Sequence, residues 1–407
     1  MLRRFGIAIS IILAAVAISP VSAMAAAEGG HCSMGAGQSS GVWYFAEGYT
    51  GQGFREYLCI GNFQEAWAKV EITYMFSDGT TQEEVVEVPA SSRDTIDVNT
   101  AVGGDKEVSI RLKSSQGIVA EREMYFLYQG AWSGGHCVVG ATAPANTWYF
   151  AEGYTGSGFD EWICVLNTGD TPANLTSNFQ TQEEGLIQRT GYSVPAHSRG
   201  SFKINDVLGS DYQTSLVLES SHPVVAERPM YFNYMGRGVH NWQGGHCVMG
   251  ATSLSSEYYF AEGTTRAGFE EWICIQNPNQ HGISVEAAYS LGEGHGEAVG
   301  KSYAIPAGTR LTLYVPDEVG PEKDVSAHLF SDDLFIAERP MYFLYQCGLF
   351  SPTRGGHCVI GATAPANTWY FAGGRADAGF PPLYWTRLLR AYRDRLCSMA
   401  VHPESGR

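Results

Sequence analysis

GGHCVVGATAPANTWYFAEGYTGSGFDEWICVLNTG, residues 134–169, decides the architecture because it recurs. It returns from Gly244 as GGHCVMGATSLSSEYYFAEGTTRAGFEEWICIQNP. It stands earlier, from Gly29, as GGHCSMGAGQSSGVWYFAEGYTGQGFREYLCIGN, and begins again at Gly355 as GGHCVIGATAPANTWYFAGG. The cysteines of successive GGHC segments lie 105, 110 and 111 residues apart, which is a whole domain per repeat and not a solenoid turn.

The second half of each unit repeats as well. VPASSRDTIDVN (from Val88), VPAHSRGSFKIN (Val194) and IPAGTRLTLYVP (Ile305) are followed by IVAEREMYFLY (Ile118), VVAERPMYFNY (Val224) and IAERPMYFLY (Ile336). Apolar and polar residues alternate in these segments, as in Val108-Ser109-Ile110-Arg111-Leu112, and turn residues separate them, as in Ser77-Asp78-Gly79-Thr80. A period of two with Gly/Asn/Asp punctuation predicts half-buried strands and hairpins. Seven or eight strands per unit predict an all-β chain of three tandem antiparallel β-sandwiches, immunoglobulin-like or jelly-roll-like, plus a partial fourth. The expected units are 29–133, 134–243, 244–354 and 355–407.

Composition narrows the function classes. The 407 residues are 44% hydrophobic and 17% charged, with 26 Lys+Arg against 42 Asp+Glu, a net charge of −16. Such a surface repels phosphate backbones, so nucleic acid is excluded as a partner. Residues 1–25 read as a secretory signal peptide: Arg3 and Arg4, an apolar run over 7–18, Pro20, and small residues offering cleavage after Ala23 or Ala25. The run is shorter than the ~20 residues of a spanning helix, and no second long apolar run follows, so no transmembrane span is expected after cleavage. The context of Cys32 is not that of a lipidated cysteine. The expected location is secreted or at the extracellular cell surface.

Cys32 and Cys59, Cys137 and Cys164, and Cys247 and Cys274 are each 27 residues apart. In an exported chain this constancy predicts one disulfide per unit. A metal is the rival, since His31, His136, His246 and His357 precede the first cysteines. It is disfavoured because adjacent strand side chains point to opposite faces and no CxxC or HxxxH offers a compact chelate, so no metal and no cofactor is expected. The phase of GGHC is open between opening a module and closing the one before. The start of the mature chain near Gly29 favours opening.

Each complete unit carries a glutamate in FAEG (Glu47, Glu152, Glu262) and another before the WIC-type strand (Glu56, Glu161, Glu271). These could serve as a glycosidase pair only across a sugar-sized cleft. Three copies of one site and the lack of GxSxG or HExxH argue against an enzyme. The adjacent pairs Glu121 and Arg122, Glu227 and Arg228, and Glu338 and Arg339 are expected to satisfy one another, or backbone donors, as structural ion pairs. Trp43, Trp148 and Tyr258, beside Glu56, Glu161 and Glu271, are the candidate ligand-facing residues should the units bind sugar. Core packing is the competing use of the aromatics. Asn174-Leu175-Thr176 fits an N-glycan acceptor in one unit only.

The fourth unit loses the common text after Ala372. Its FAEG glutamate is replaced by Gly373, and the position 27 after Cys358 is Trp385. From Gly373 onward the net charge is +3, which reads as a shifted or truncated reading frame, with a short basic helix over 385–396 as the structured alternative. Cys358 then has only Cys347 and Cys397 as partners.

The text WYFAEGYTGSGFDEWICVLN, followed by VPAHSRGSFKIN and VVAERPMYF, resembles a repeated extracellular module of unknown function found in secreted and surface proteins of actinobacteria. The resemblance covers about residues 29–372. It implies Ig-like sandwich modules and supplies no catalytic residues. The expected function is therefore an exported, non-enzymatic tandem-repeat protein, a cell-surface stalk or an adhesion and interaction module, with cell-envelope glycans or surface proteins as partners. A multivalent carbohydrate-binding array is the alternative, and a hydrolase stands third.

Overall fold

The computed structural model describes residues 29–237, 241–345 and 353–374. The signal-peptide segment, Cys347, Cys397 and the chain after Gly374 lie outside the described residues. In the first repeat the elements are β1 (Ser40–Phe45), β2 (Phe54–Asn62), β3 (Ala68–Phe76), β4 (Thr81–Val88), β5 (Ser92–Asp97), the one-turn helix α1 (Val98–Val102), β6 (Val108–Tyr128) and β7 (Trp132–Val139). The second and third repeats have the same elements in the same order. All three are antiparallel β-sandwiches of seven strands.

The sandwich turns on β6, which is 21 residues long and belongs to both sheets. Residues 108–114 pair with β3 and residues 110–118 with β1, whereas residues 119–128 pair with β2 and β7. The bend falls in Ser114-Ser115-Gln116-Gly117, where small and polar residues replace the alternating apolar text. At this bend Trp43 Nε1 donates to the Ile118 carbonyl (2.9 Å), Trp148 Nε1 to Val224 (2.8 Å) and the Tyr258 hydroxyl to Phe335 (3.1 Å). The aromatic at this position fills the core and satisfies the carbonyl that the bend removes from the ladder.

Asn62, Asn167 and Asn277 close the other end of each sandwich. Each carboxamide donates to three carbonyls, those of Ala66, Val88 and Pro89 in the first repeat. Their recurrence at the end of the WICVLN-type strand is visible in the sequence, whereas their role emerges only from the fold.

The GGHC strand corrects the expected phase and unit boundaries. β7, which contains Gly134 to Cys137, is hydrogen-bonded to β6 of the first repeat. Asn241–Met249 and Thr353–Ile360 likewise pair with the long strands of the second and third repeats. Boundaries before Gly134, Gly244 and Gly355 therefore cut through strands, and GGHC closes the preceding sandwich. The segment at Gly29 has a preceding unit too, because the repeats run in a circle. Tyr44 bridges to Ala141, Tyr149 to Ala251, Tyr259 to Ala362, and Tyr370 back to Ala36.

The circle is tight at the glycines. A Cβ placed on Gly134 would lie 3.2 Å from Gly244 Cα, one on Gly244 3.2 Å from Gly355 Cα, and one on Gly355 3.1 Å from Gly30 N. One on Gly29 would lie 2.8 Å from Gly135 N and so completes the circuit. On Gly134 it would also meet the Phe126 ring at 2.6 Å. Gly134→Val is expected to cost about 1–3 kcal/mol by overpacking. Gly37→Ala, with nothing within 4 Å of the new carbon, should stay within about 0.5 kcal/mol. Urea midpoints of the two variants check this; equal midpoints would mean the glycine contact is not tight.

Candidate functional site

The candidate site is the junction between successive repeats. On β6 the alternation of burial stops: residues 118–122 are all buried. One face of the strand packs in its own sandwich and the other against the neighbouring repeat, so both faces avoid water. Phe54, Met124 and Phe126 pack with Tyr231 of the second repeat, and Phe159, Met230 and Phe232 with Tyr342 of the third.

At the centre of the first junction Arg122 reaches the Glu47 carbonyl, the Glu47 carboxylate (2.5 Å) and, from the next repeat, Glu227 Oε2 (3.0 Å). Glu227 also accepts from the backbone N–H of Ala46 (2.6 Å) and Glu47 (3.3 Å). The second junction repeats this. Arg228 holds the Glu152 carbonyl and carboxylate and Glu338 Oε2 (2.8 Å), and Glu338 accepts from Ala151 N (3.1 Å) and Glu152 N (3.2 Å). Where the fourth repeat meets the first, Glu121 accepts from Gly373 N. In the third repeat Arg339 pairs with Glu262 alone among the described carboxylates, and the Glu262 side chain is 51% exposed.

This corrects the expected pairing of each glutamate with its adjacent arginine, whereas the backbone donors expected as the alternative are found at Glu121, Glu227 and Glu338. Neighbours on one strand point to opposite faces, so Glu121 and Arg122 serve different junctions, as do Glu227 with Arg228 and Glu338 with Arg339. The same rule governs His and Cys of GGHC, and brings together side chains from three segments. Glu47, His136 and Cys247 offer ligand atoms within 4.8 Å of one another, as do Glu152, His246 and Cys358, and Cys32, Glu262 and His357. His136 Nε2 faces Glu47 Oε1 at 4.0 Å and His246 Nε2 faces Glu152 Oε1 at 3.8 Å. Both imidazoles are buried, and neither ring nitrogen of either has a hydrogen-bond partner. Burial, and then the positive charge of Arg122 or Arg228, holds both well below the usual histidine range, so both are neutral.

The predicted disulfides do not form. All seven described cysteines are free. Cys32 lies with Glu262 and His357, whereas Cys59 Sγ accepts from Arg93 (3.3 Å). Cys137 stands opposite Glu123 on β6, while Cys164 Sγ accepts from Arg199 (3.3 Å) and Cys247 Sγ donates to Glu227 (3.2 Å). Cys274 stands opposite Glu338. The constant spacing of 27 belongs to the repeat and not to a bond. Burial pushes the Cys59 and Cys164 thiols up to about 12, which keeps them protonated and unreactive. Alkylation of the denatured, unreduced chain followed by peptide mapping is accordingly expected to find these seven of the nine cysteines labelled; unlabelled pairs such as Cys32 with Cys59 would restore the disulfide reading.

Trp43, Trp148, Tyr258, Glu56, Glu161 and Glu271 are all buried, so none is ligand-facing. A junction cavity of about 790 Å³ is lined by Glu47, Tyr49, Trp162, Arg199 and Tyr231, and its counterpart of about 370 Å³ by Glu152, Tyr154, Trp272, Arg310 and Tyr342. Glu56 and Glu161 are not among the residues lining these two cavities. No helix among the described residues is long and apolar enough to cross a membrane.

No family model matches the chain, and no curated protein matches it. Among solved structures, Thermotoga maritima 1070 is 22% identical over 27% of this chain and 96% of that one, with a TM-score of 0.24. The Anabaena sensory rhodopsin transducer is 25% identical over 21% of this chain and 95% of that one, with a TM-score of 0.20.

Proposed function

We propose that the chain is an exported, non-enzymatic interaction protein whose repeats act together as one closed body, and not as a flexible string of separate binding units. The observation that carries this reading is the use made of the recurrent charged residues. Glu47, Arg122 and Glu227, and Glu152, Arg228 and Glu338, are spent on one another at junctions, away from solvent. A surface built to bind would then draw on exposed side chains, of which Trp67 (61% exposed) and Phe63 (46%) project from one loop beside the closure of the circle. Phe63 packs against Tyr370 of the fourth repeat, with ring centroids 5.0 Å apart and the planes tilted by 55°. The carbohydrate-array alternative loses the residues named for it, because Trp43, Trp148 and Tyr258 are core.

The test takes the full chain as secreted, and measures saturable binding to washed cell envelopes of the producing organism beside turnover of a panel of chromogenic glycosides and esters. Binding weakened by Phe63→Ala with Trp67→Ala, without turnover, supports the reading. Turnover abolished by Glu56→Gln would replace it with a hydrolase.

A further inference from the structure

We propose that the Glu–His–Cys triads at the repeat junctions are binding sites for a divalent transition metal of the zinc class, each ion stapling one repeat to the next. The first site comprises Glu47, His136 and Cys247, the second Glu152, His246 and Cys358, and the third Glu262, His357 and Cys32.

Three observations carry this. One is the donor set: carboxylate, imidazole and thiol together suit Zn²⁺ and its borderline-soft neighbours rather than Mg²⁺ or Ca²⁺. A second is the spacing. Ligand atoms about 2.0–2.3 Å from a tetrahedral ion lie roughly 3.3–3.8 Å from each other. The His–carboxylate separations of 3.8–4.0 Å are too long for a hydrogen bond and need only a small contraction to meet this. The third is the buried imidazoles. His136 and His246 make no hydrogen bond through either nitrogen, an arrangement that costs stability unless a ligand occupies one of them.

The protons balance as well: entry of a divalent ion displaces the Cys247 or Cys358 thiol proton to solvent, and the ion then faces that thiolate with the Glu47 or Glu152 carboxylate. In the first two junctions a second carboxylate, Glu227 or Glu338, lies beside the same thiol, at 3.2 and 3.5 Å. The third differs. Its Glu262 is half exposed, no described carboxylate takes the place of Glu227, and Arg339 Nη2 lies 3.4 Å from His357 Nδ1. It is therefore the weakest and the most readily stripped. Where the fourth repeat meets the first, Gly373 stands in place of the glutamate beside Cys137, so no site forms there.

The arrangement also shows why one GGHC could not be read as a chelate. Its His and Cys do face apart, but each joins a different site, so a run of such strands serves a run of ions.

The experiment strips the full-length secreted chain with chelator and titrates it with Co²⁺, following the thiolate-to-cobalt charge-transfer band and bound metal. The expected result is two tight equivalents and a third that is weaker by about tenfold or more, each developing the band. Cys247→Ser should lose one tight equivalent, whereas Cys164→Ser, outside the triads, should bind as the parent does. Should Cys247→Ser fail to fold, His136→Ala removes a side chain with no hydrogen bond to lose, and should weaken the same equivalent by more than about tenfold. Failure to develop the band, or a band that persists in full when Cys32, Cys247 and Cys358 are all serine, would overturn the proposal.

Discussion

Arg122→Met should remove about 3–5 kcal/mol of stability, and Arg228→Met as much, because each strands two buried carboxylates. The Arg122 and Glu227 side chains are wholly buried, and Glu47 nearly so. Glu227 keeps its backbone donors at Ala46 and Glu47, but these do not neutralise the pair of charges. Arg339→Met supplies the contrast within the same molecule. Its only described carboxylate partner, Glu262, is half exposed and can take up water when the guanidinium goes, so the loss should be about 1 kcal/mol. Urea unfolding of the three variants in chelator measures the difference. Equal losses at all three positions would mean that the junction salt bridges do not depend on closure by the next repeat, and the ring would lose its main electrostatic support.

The fold is legible where each repeat answers to itself. Alternation in the segments around Val108, Thr95 and Val217 marks strands because one face of each is core, and that constraint acts within a few residues. The aromatic of WYF and the Asn of WICVLN recur because every sandwich needs its bend and its end satisfied. Which copy touches which is not legible in the same way. Tyr370 bridges to Ala36 across almost the whole described chain, and no local pattern encodes a circle. Constant spacing misleads for the same reason. In a tandem repeat any two fixed positions of the unit keep their separation from copy to copy, so the constant 27 residues between cysteines follows from the repetition and says nothing of contact. The residue types of the candidate site, Glu, Arg, His and Cys, all stand out in the sequence by recurrence. Their partners do not, because alternation along a strand sends each member of an adjacent pair to a different neighbour.

The largest pH effect should come from Glu56, Glu161 and Glu271, whose carboxyls burial pushes up to about 8, against the pull of Arg122, Arg228 and Arg339 respectively. In the unfolded chain each titrates near its ordinary 4.5. Between these values the folded protein holds protons that the unfolded chain has released, so the stabilising difference is full below about pH 4.5 and drains away as pH rises through about 8. Each tenfold change in proton affinity on folding is worth about 1.4 kcal/mol, so three such groups sum to on the order of 10 kcal/mol by pH 9. Both Glu56 carboxyl oxygens lack a hydrogen-bond partner, so Gln, which has the same shape and no charge to acquire, reproduces the protonated state. The triple variant Glu56→Gln, Glu161→Gln, Glu271→Gln is expected to melt within a few degrees of the parent at pH 5 and on the order of 10 °C above it at pH 9, in chelator throughout. Were the two melting curves to fall in parallel from pH 5 to pH 9, the glutamates would have to be ionised in the folded state at neutral pH. The junction arginines would then be compensating three more negative charges than the ion pairs described above, and Arg122→Met should cost correspondingly more at pH 7 than at pH 5.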